Sequence, residues 1–292
     1  MVPVMHSRGM GVLMGSALCV EGIGSKEAPS RVVSDHGKDF EMFVTGDVHG
    51  SASAVYARLR RVVSEMGPNR GDSVVWAGDV GVSYGLYDVR WEMLDHMEDF
   101  GSDCGIHSVI MRGNHDTRYC RDIMGDRLGP WHVDLWCGVE VLSLDAYPHV
   151  LFVADSGSLL SWRDMSVMLI PGAFSVDRDL RLAYGWPYEP SELLTWSEWE
   201  TVLDFADAGA DAVISHTCPE AWMELFSDLL IPGLDQSCLD HSMERGMNAV
   251  LDRIGDRCRA WLFGHFHDDR YVPGTCGRML FEDVVRLSDE VR

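Results

Sequence analysis

Five times along this chain an apolar run stops and hands over an Asp, an Asn or a His, and in four of the five a glycine stands at the handover. The first is Phe43-Val44-Thr45-Gly46-Asp47-Val48-His49-Gly50. Then come Val74-Val75-Trp76-Ala77-Gly78-Asp79, Val109-Ile110-Met111-Arg112-Gly113-Asn114-His115-Asp116, Ala212-Val213-Ile214-Ser215-His216 and Trp261-Leu262-Phe263-Gly264-His265-Phe266-His267. Short runs rich in β-branched and aromatic residues, closed by a turn residue, read as buried strands. Open α/β sheets place their ligand-binding groups just beyond the carboxyl ends of such strands. Five strands that bring Asp, Asn and His to one edge describe a metal site.

The segment between the first two runs fixes the fold class. Residues 51–66 read as a helix with Val55, Leu59, Val62, Val63 and Met66 on one face, and with Arg58, Arg60 and Arg61 largely outside it. Residues 67–72 are turn-forming and return the chain to the second strand. Strand, helix and strand in this order make a parallel βαβ unit, so the chain is α/β. Further helices are expected over residues 88–100, 191–208 and 240–254, with Ser191 as the cap of the second and Glu192 in its first turn. Residues 139–144, 150–153 and 166–170 alternate as strands of a second sheet, and 278–287 as closing strand structure. Residues 117–138 read as an irregular aromatic loop against the mouth of the site, and 184–190 as a surface loop.

Residues 1–39 show no sustained period and read as a poorly ordered leader, which leaves 40–292 as one domain. The apolar stretch 9–20 lies behind His6 and Arg8, but Leu18 occupies the position before Cys19 where a signal peptidase wants a small residue, so cytoplasmic location is expected. No run reaches the ~18 apolar residues of a membrane span. The eight cysteines are scattered without a Cys-x-x-Cys pair, as free thiols are. A net charge of −22 argues against an extended nucleic-acid footprint, which needs Lys and Arg against phosphates. A phosphate can still bind such a protein where metal supplies the positive charge.

The candidate ligands are Asp47, His49, Asp79, Asn114, His216, His265 and His267. They mix carboxylate, amide and imidazole donors without a thiolate, which suits Mn²⁺, Fe²⁺/³⁺, Zn²⁺ or Co²⁺ rather than a structural zinc. The set exceeds what one tetrahedral ion takes. Two ions sharing a carboxylate account for it, and such pairs clamp both oxygens of an in-line phosphoryl displacement. Arg112, Arg178 and Arg181 are candidates for gripping a phosphate oxygen. Asp116 reads as an anchor for its loop or for a ligand.

In order and spacing these motifs resemble the calcineurin-like metallophosphoesterase superfamily over residues 41–287, with 171–178 and 215–219 most like its small bacterial and phage-type members. The resemblance implies two mixed β-sheets packed as a sandwich flanked by helices, a four-layer arrangement. It implies Asp47, His49, Asp79 and His267 around one metal and Asp79, Asn114, His216 and His265 around the other, with Asp79 bridging. His115 matches the family's histidine that stabilises the transition state or protonates the leaving group. The sequence departs from the Ser/Thr protein phosphatases after Asp79, where Val80-Gly81-Val82-Ser83 replaces the Val-Asp-Arg-Gly of those enzymes, and a phosphoprotein substrate is put in doubt.

The function expected is a dinuclear metal-dependent hydrolase of phosphate esters using two Mn, Fe or Zn ions, in which a hydroxide between the metals attacks phosphorus in line. A phosphodiesterase acting on nucleotides or cyclic nucleotides is the second enzyme reading. A non-catalytic metal-binding interaction module is the third, against which the intact His115 and complete ligand set stand.

Overall fold

The structure, a computed structural model, describes residues 32–34, 40–82, 90–116, 118, 129–186, 188, 191–230 and 239–291. In chain order its elements are β1 (Val32–Ser34), β2 (Met42–Thr45), α1 (Ala52–Arg61), β3 (Ser73–Ala77), α2 (Trp91–Cys104), β4 (His107–Met111), β5 (Trp131–Trp136), β6 (Val139–Leu144), β7 (Tyr147–Val153), β8 (Ser158–Trp162) and β9 (Met165–Ile170). They continue with α3 (Arg178–Tyr184), α4 (Trp196–Ala208), β10 (Ala212–Ser215), α5 (Glu220–Met223), α6 (Ser242–Ile254), β11 (Ala260–Phe263), β12 (Arg270–Tyr271), β13 (Gly277–Met279), β14 (Val284–Arg286) and α7 (Leu287–Glu290).

The strands form two mixed sheets. One runs β1-β5-β6-β7-β4-β3-β2-β14 and the other β12-β13-β11-β10-β9-β8. Within them β2, β3 and β4 pair parallel, as do β9, β10 and β11. The four-residue runs Met42–Thr45, Ala212–Ser215 and Ala260–Phe263 are buried at every position. That is why they are apolar throughout rather than alternating: each face meets a different core. Val44, Val75, Val109 and Leu151 of the first sheet pack on Val167, Leu169, Ile214 and Leu262 of the second. One residue along, Phe43, Val74 and Trp76 turn outward onto Val55 and Leu59 of α1 and Met93, Leu94 and Met97 of α2. Val213, Trp261 and Phe263 do the same against Val202 of α4 and Met243, Met247 and Val250 of α6. Helices, sheet, sheet and helices make the four expected layers, and the period of two along each strand divides the cores. Among the described residues no helix is long and apolar enough to cross a membrane.

Several local expectations change. Residues 139–144 and 150–153 belong to the same sheet as β2 to β4, because β7 pairs parallel with β4 and β6 antiparallel with β7. Residues 32–34, assigned to the leader, form β1 and pair parallel with β5. Trp131–Trp136, placed in the irregular loop, is a strand paired with β6, and its Asp134 is buried against the Ser143 hydroxyl at 2.5 Å. The helix expected from Ser191 starts at Trp196, because Thr195 closes a capping box with Glu198. The short helix Arg178–Tyr184 stands where no element was expected. The closing segment divides: β13 joins the second sheet, whereas β14 crosses to the edge of the first beside β2. The described cysteines are free thiols, with Cys258 and Cys276 3.8 Å apart, while Cys19, Cys120 and Cys238 lie outside the described residues.

Candidate metal centre

All seven candidate ligands lie just past the carboxyl ends of β2, β3, β4, β10 and β11, where the parallel strands of the two sheets meet. The sheets are tied together at this point. His216 Nδ1 lies 2.8 Å from the Ala77 carbonyl, and the His265 backbone N–H donates to both Asp47 oxygens at 3.2 and 3.1 Å. The glycines of the motifs make this convergence possible. A Cβ on Gly113 would collide with Asp79 Oδ1, and one on Gly264 with Asp47 Oδ1. The ligands themselves accept an uncommon backbone: His49, Asp79, His265 and His267 have φ of 47°, 50°, 70° and 55°. Each such residue costs of order 1–3 kcal/mol, and strain of this kind collects where side chains must be aimed.

The ligands fall into two groups. In the first, His267 Nε2 and His49 Nε2 lie 3.1 and 3.7 Å from Asp47 Oδ2 and 2.8 Å from each other. In the second, Asn114 Oδ1 lies 2.8 Å from His216 Nε2 and 3.1 Å from His265 Nδ1. Asp79 stands between them. Its Oδ1 is 3.5 Å from His216 Nε2, and its carboxylate also joins His49 and His115 in a triad whose donor atoms lie within 4.8 Å of one another. Asp47, His49 and His267 form a second such triad, and Asp47, Asp79 and His216 a third.

The electrostatics fit a cation. Asp47, Asp79 and His216 are buried. Burial opposes charge on His216, but the Asp79 and Asp47 carboxylates outweigh it and hold its pKa up at about 9. Asp79 is likewise penalised by burial, yet His216 and then His115 hold it well below the usual carboxylate range. A pocket that draws a proton onto a buried imidazole draws a divalent ion for the same reason. Burial pushes His265 well down and lowers His49, which keeps both rings in the neutral form that coordinates metal. His267 moves upward, chiefly through its hydrogen bond to Asp47. Convergent lone pairs, two buried carboxylates and the absence of thiolates from the set fit hard or borderline divalent ions.

His115 lies beside the second group. Its Nε2 is 3.3 Å from Asn114 Nδ2, 3.8 Å from Asp79 Oδ2 and 3.5 Å from Arg181 NH2, and its backbone N–H donates to Asp79 Oδ1 at 2.9 Å. Burial lowers its pKa, Asp79 pulls the other way, and Arg181 adds to the lowering. Of the three arginines, Arg181 comes into the site, held by Asp177 at 2.7 Å. Arg178 is exposed and stacks over Tyr188 with 5.5 Å to the ring centre. Arg112 does not reach the site as a phosphate ligand would. Its side chain is fully buried, bonded to the Glu192 carbonyl at 2.7 Å and 3.2 Å from Asp155. It braces the protein behind the site and has no surface to offer a phosphate.

Two supports, Arg58 and Ser175, were missed in the sequence. Arg58, expected outside the helix face, is buried and donates to the carbonyls of Gly46 and Asp47 at 2.6 and 2.7 Å, setting a cation behind the first ligand. Its position three after Val55 and four before Val62 already put it on the inner stripe. Ser175 Oγ accepts from Asn114 Nδ2 at 2.8 Å, and the Ser175 N–H donates to Glu192 Oε1 at 3.1 Å. Asp116 performs the anchoring expected of it, accepting from the Gly81 and Gly113 N–H groups at 2.7 and 3.0 Å.

The family model described as calcineurin-like phosphoesterase matches residues 41–269, and the chain belongs to that family, whose members are metal-dependent phosphoesterases. No curated protein matches the chain. Among solved structures it is similar to a Staphylococcus aureus protein described as a 5'-nucleotidase, in complex with alpha-ketoglutarate, at 14% identity and a TM-score of 0.42, covering 85% of this chain and 50% of that one. It is also similar to a cold-active protein-tyrosine phosphatase of a psychrophilic Shewanella species, at 13% identity and 0.35, covering 89% and 77%. A third is the Thermus thermophilus sulfate thiohydrolase SoxB in complex with glycerol, at 14% and 0.33, covering 81% and 38%. The chain spans half the length of the first of these.

Proposed function

We propose that this phosphoesterase is dinuclear and hydrolyses phosphate esters, with Asp47, His49 and His267 holding one ion, Asn114, His216 and His265 the other, and Asp79 serving both. The observation that carries the reading is Asp79 itself, a buried carboxylate set between two separate groups of donors. When bound, the ions supply positive charge to the phosphate oxygens and an activated water for in-line displacement.

The chain's own residues do the rest. The Asp47 and Asp79 carboxylates balance the charge of the ions, and burial strengthens that attraction by excluding water. Arg181, 3.5 Å from His115, adds a fixed positive charge on the side where an ester oxygen would leave. Burial lowers the His115 pKa, Asp79 pulls the other way and Arg181 adds to the lowering, and in its protonated form the imidazole would carry the proton that a leaving group needs. From there it passes to the leaving oxygen.

Protein reconstituted with Mn²⁺ or Zn²⁺ and desalted is expected to retain two ions per chain by elemental analysis. Turnover is then assayed on p-nitrophenyl phosphate, bis-p-nitrophenyl phosphate, nucleotides and a phosphopeptide. Metal-dependent hydrolysis is the expected result, and a stoichiometry that stays at one ion or below rules out the dinuclear reading.

A further inference from the structure

His265 and His267 each have a second neighbourhood. Besides facing the candidate centre, both line a cavity of about 240 Å³ whose other walls include Phe174, Phe266, Met223, Leu229 and Leu230. The two histidines line both spaces, so the cavity lies directly beside the candidate centre, within reach of a group attached to the reacting phosphorus. The volume exceeds the ~150 Å³ in which an apolar protein cavity already holds a benzene ring.

The lining sorts the groups that can enter. Apolar surface withdrawn from water against these walls contributes about 25 cal/mol per Å². An anionic arm would have to shed water without compensation, because no Lys or Arg lines the cavity among the described residues. The ionisable groups that do line it beyond the two histidines are His241 and the acids Asp240 and Glu244. Asp240 is held below its usual range by its bonds to Ser242, opposing burial, so it is an anion at neutral pH. It repels a second negative charge. The other cleft reaching the centre, at Asp47 and His49, carries Arg58, Arg61 and Glu282 on its walls, but Arg58 is committed to the Gly46 and Asp47 carbonyls and Arg61 to Asp283 and Glu65.

On the hydrolase reading above, we infer that this cavity is the binding site for the organic arm of the substrate, and that the preferred substrates are phosphate esters of uncharged aryl or branched apolar alcohols, with esters carrying a second anionic group disfavoured.

The test compares 4-ethylphenyl phosphate with 4-(carboxymethyl)phenyl phosphate, whose leaving phenols have nearly the same acidity and differ in the charge of the arm. With the metal-loaded full chain, kcat/KM is expected to favour the ethyl ester by about tenfold or more, mostly through KM, the scale on which pocket contacts discriminate. Leu230→Lys, at a half-buried wall position that tolerates a long side chain, is expected to reverse the preference. Binding of 2-naphthol, followed by its own fluorescence, reads the same cavity without turnover and is expected to weaken in that variant. Equal kcat/KM values that Leu230→Lys does not change would overturn the assignment while leaving the hydrolase reading intact. Naphthol binding sensitive to Leu230→Lys in a protein that hydrolyses no ester would leave the cavity an apolar binding site and remove the hydrolase reading. Absence of both removes both.

Discussion

Asn114 is held at both ends of its amide: Nδ2 donates to Ser175 Oγ at 2.8 Å, while Oδ1 faces His216 Nε2 at 2.8 Å and His265 Nδ1 at 3.1 Å. An amide whose nitrogen is bound presents its oxygen to the centre, and only the oxygen has a lone pair for a cation. Ser175 is fixed in turn by Glu192. The orientation of a candidate ligand therefore depends on a residue that touches no metal.

Ser175→Ala removes that hold and lets the amide rotate. The expected result is a loss of ~10–100-fold in affinity for one ion while the other is kept, the usual consequence of losing a partner that orients a ligand. Calorimetric titration with Mn²⁺ reads this directly. Activity should return at saturating metal, and Ser175→Thr, which keeps the hydroxyl, should restore part of the affinity. Equal weakening of both ions would place Ser175 in general support of the fold instead.

Asp79→Asn is expected to act on both ions at once. The carboxylate is buried, lies 3.5 Å from His216 and shares a triad with His49, so removing its charge weakens both groups. His49→Ala affects one group only. The order of loss in turnover at limiting metal should be Asp79→Asn beyond His49→Ala, and elemental analysis should find both ions depleted in the first variant and one in the second. Near wild-type turnover of Asp79→Asn at saturating metal would mean that the bridge lies elsewhere.

Glu192 gives the fold a pH signature. Burial raises its pKa from 4.5 to about 6, against hydrogen bonds from Ser175 that favour the charge. An acid raised on folding binds more protons in the folded state, so its contribution to stability is present below 4.5 and is lost as pH climbs to about 6. Glu192→Gln keeps an acceptor for Ser175 and removes the ionisation. Its Tm should exceed that of the wild type by a few degrees at neutral pH, with the advantage shrinking toward pH 4.5. An advantage that does not change with pH would assign the effect to packing.

How much of this could be read from the sequence follows from distance along the chain. The convergence of the candidate ligands was legible because strand, glycine and candidate ligand are neighbours: Asp79 follows Gly78 and His265 follows Gly264. Arg58 was half legible, since helical spacing placed it on the inner face while its charge argued for solvent, and the carbonyls it binds belong to another element. Ser175 was not legible, because it lies 61 residues from Asn114 and meets it only when the sheets pack. The start of α4 was legible in Thr195-x-x-Glu198, but Ser191 offered an earlier cap. Tertiary contacts decided between them: the Ser191 carbonyl is bound by Arg118 and the Glu192 carboxyl by Ser175. Arg112 precedes the Gly-Asn-His motif as a phosphate-binding arginine could. Only the three-dimensional structure shows that its side chain is closed off by Glu192 and Asp155.

A variant at His115 is the one expected to separate metal binding from chemistry. His115 follows Asn114 on the same turn, and its Nε2 lies 3.8 Å from Asp79 and 3.5 Å from Arg181, at the margin of the ligand groups. A group that protonates a leaving oxygen contributes ~10²–10⁴-fold. His115→Ala is therefore expected to keep both ions by elemental analysis and to lose turnover on that scale for alkyl esters. The loss should be smaller for p-nitrophenyl phosphate, because p-nitrophenolate departs without needing the proton. If good and poor leaving groups suffer alike, the imidazole stabilises charge at phosphorus instead of giving up a proton. If an ion is lost with the side chain, the triad of His49, Asp79 and His115 is itself a metal site, and His115 joins the ligands.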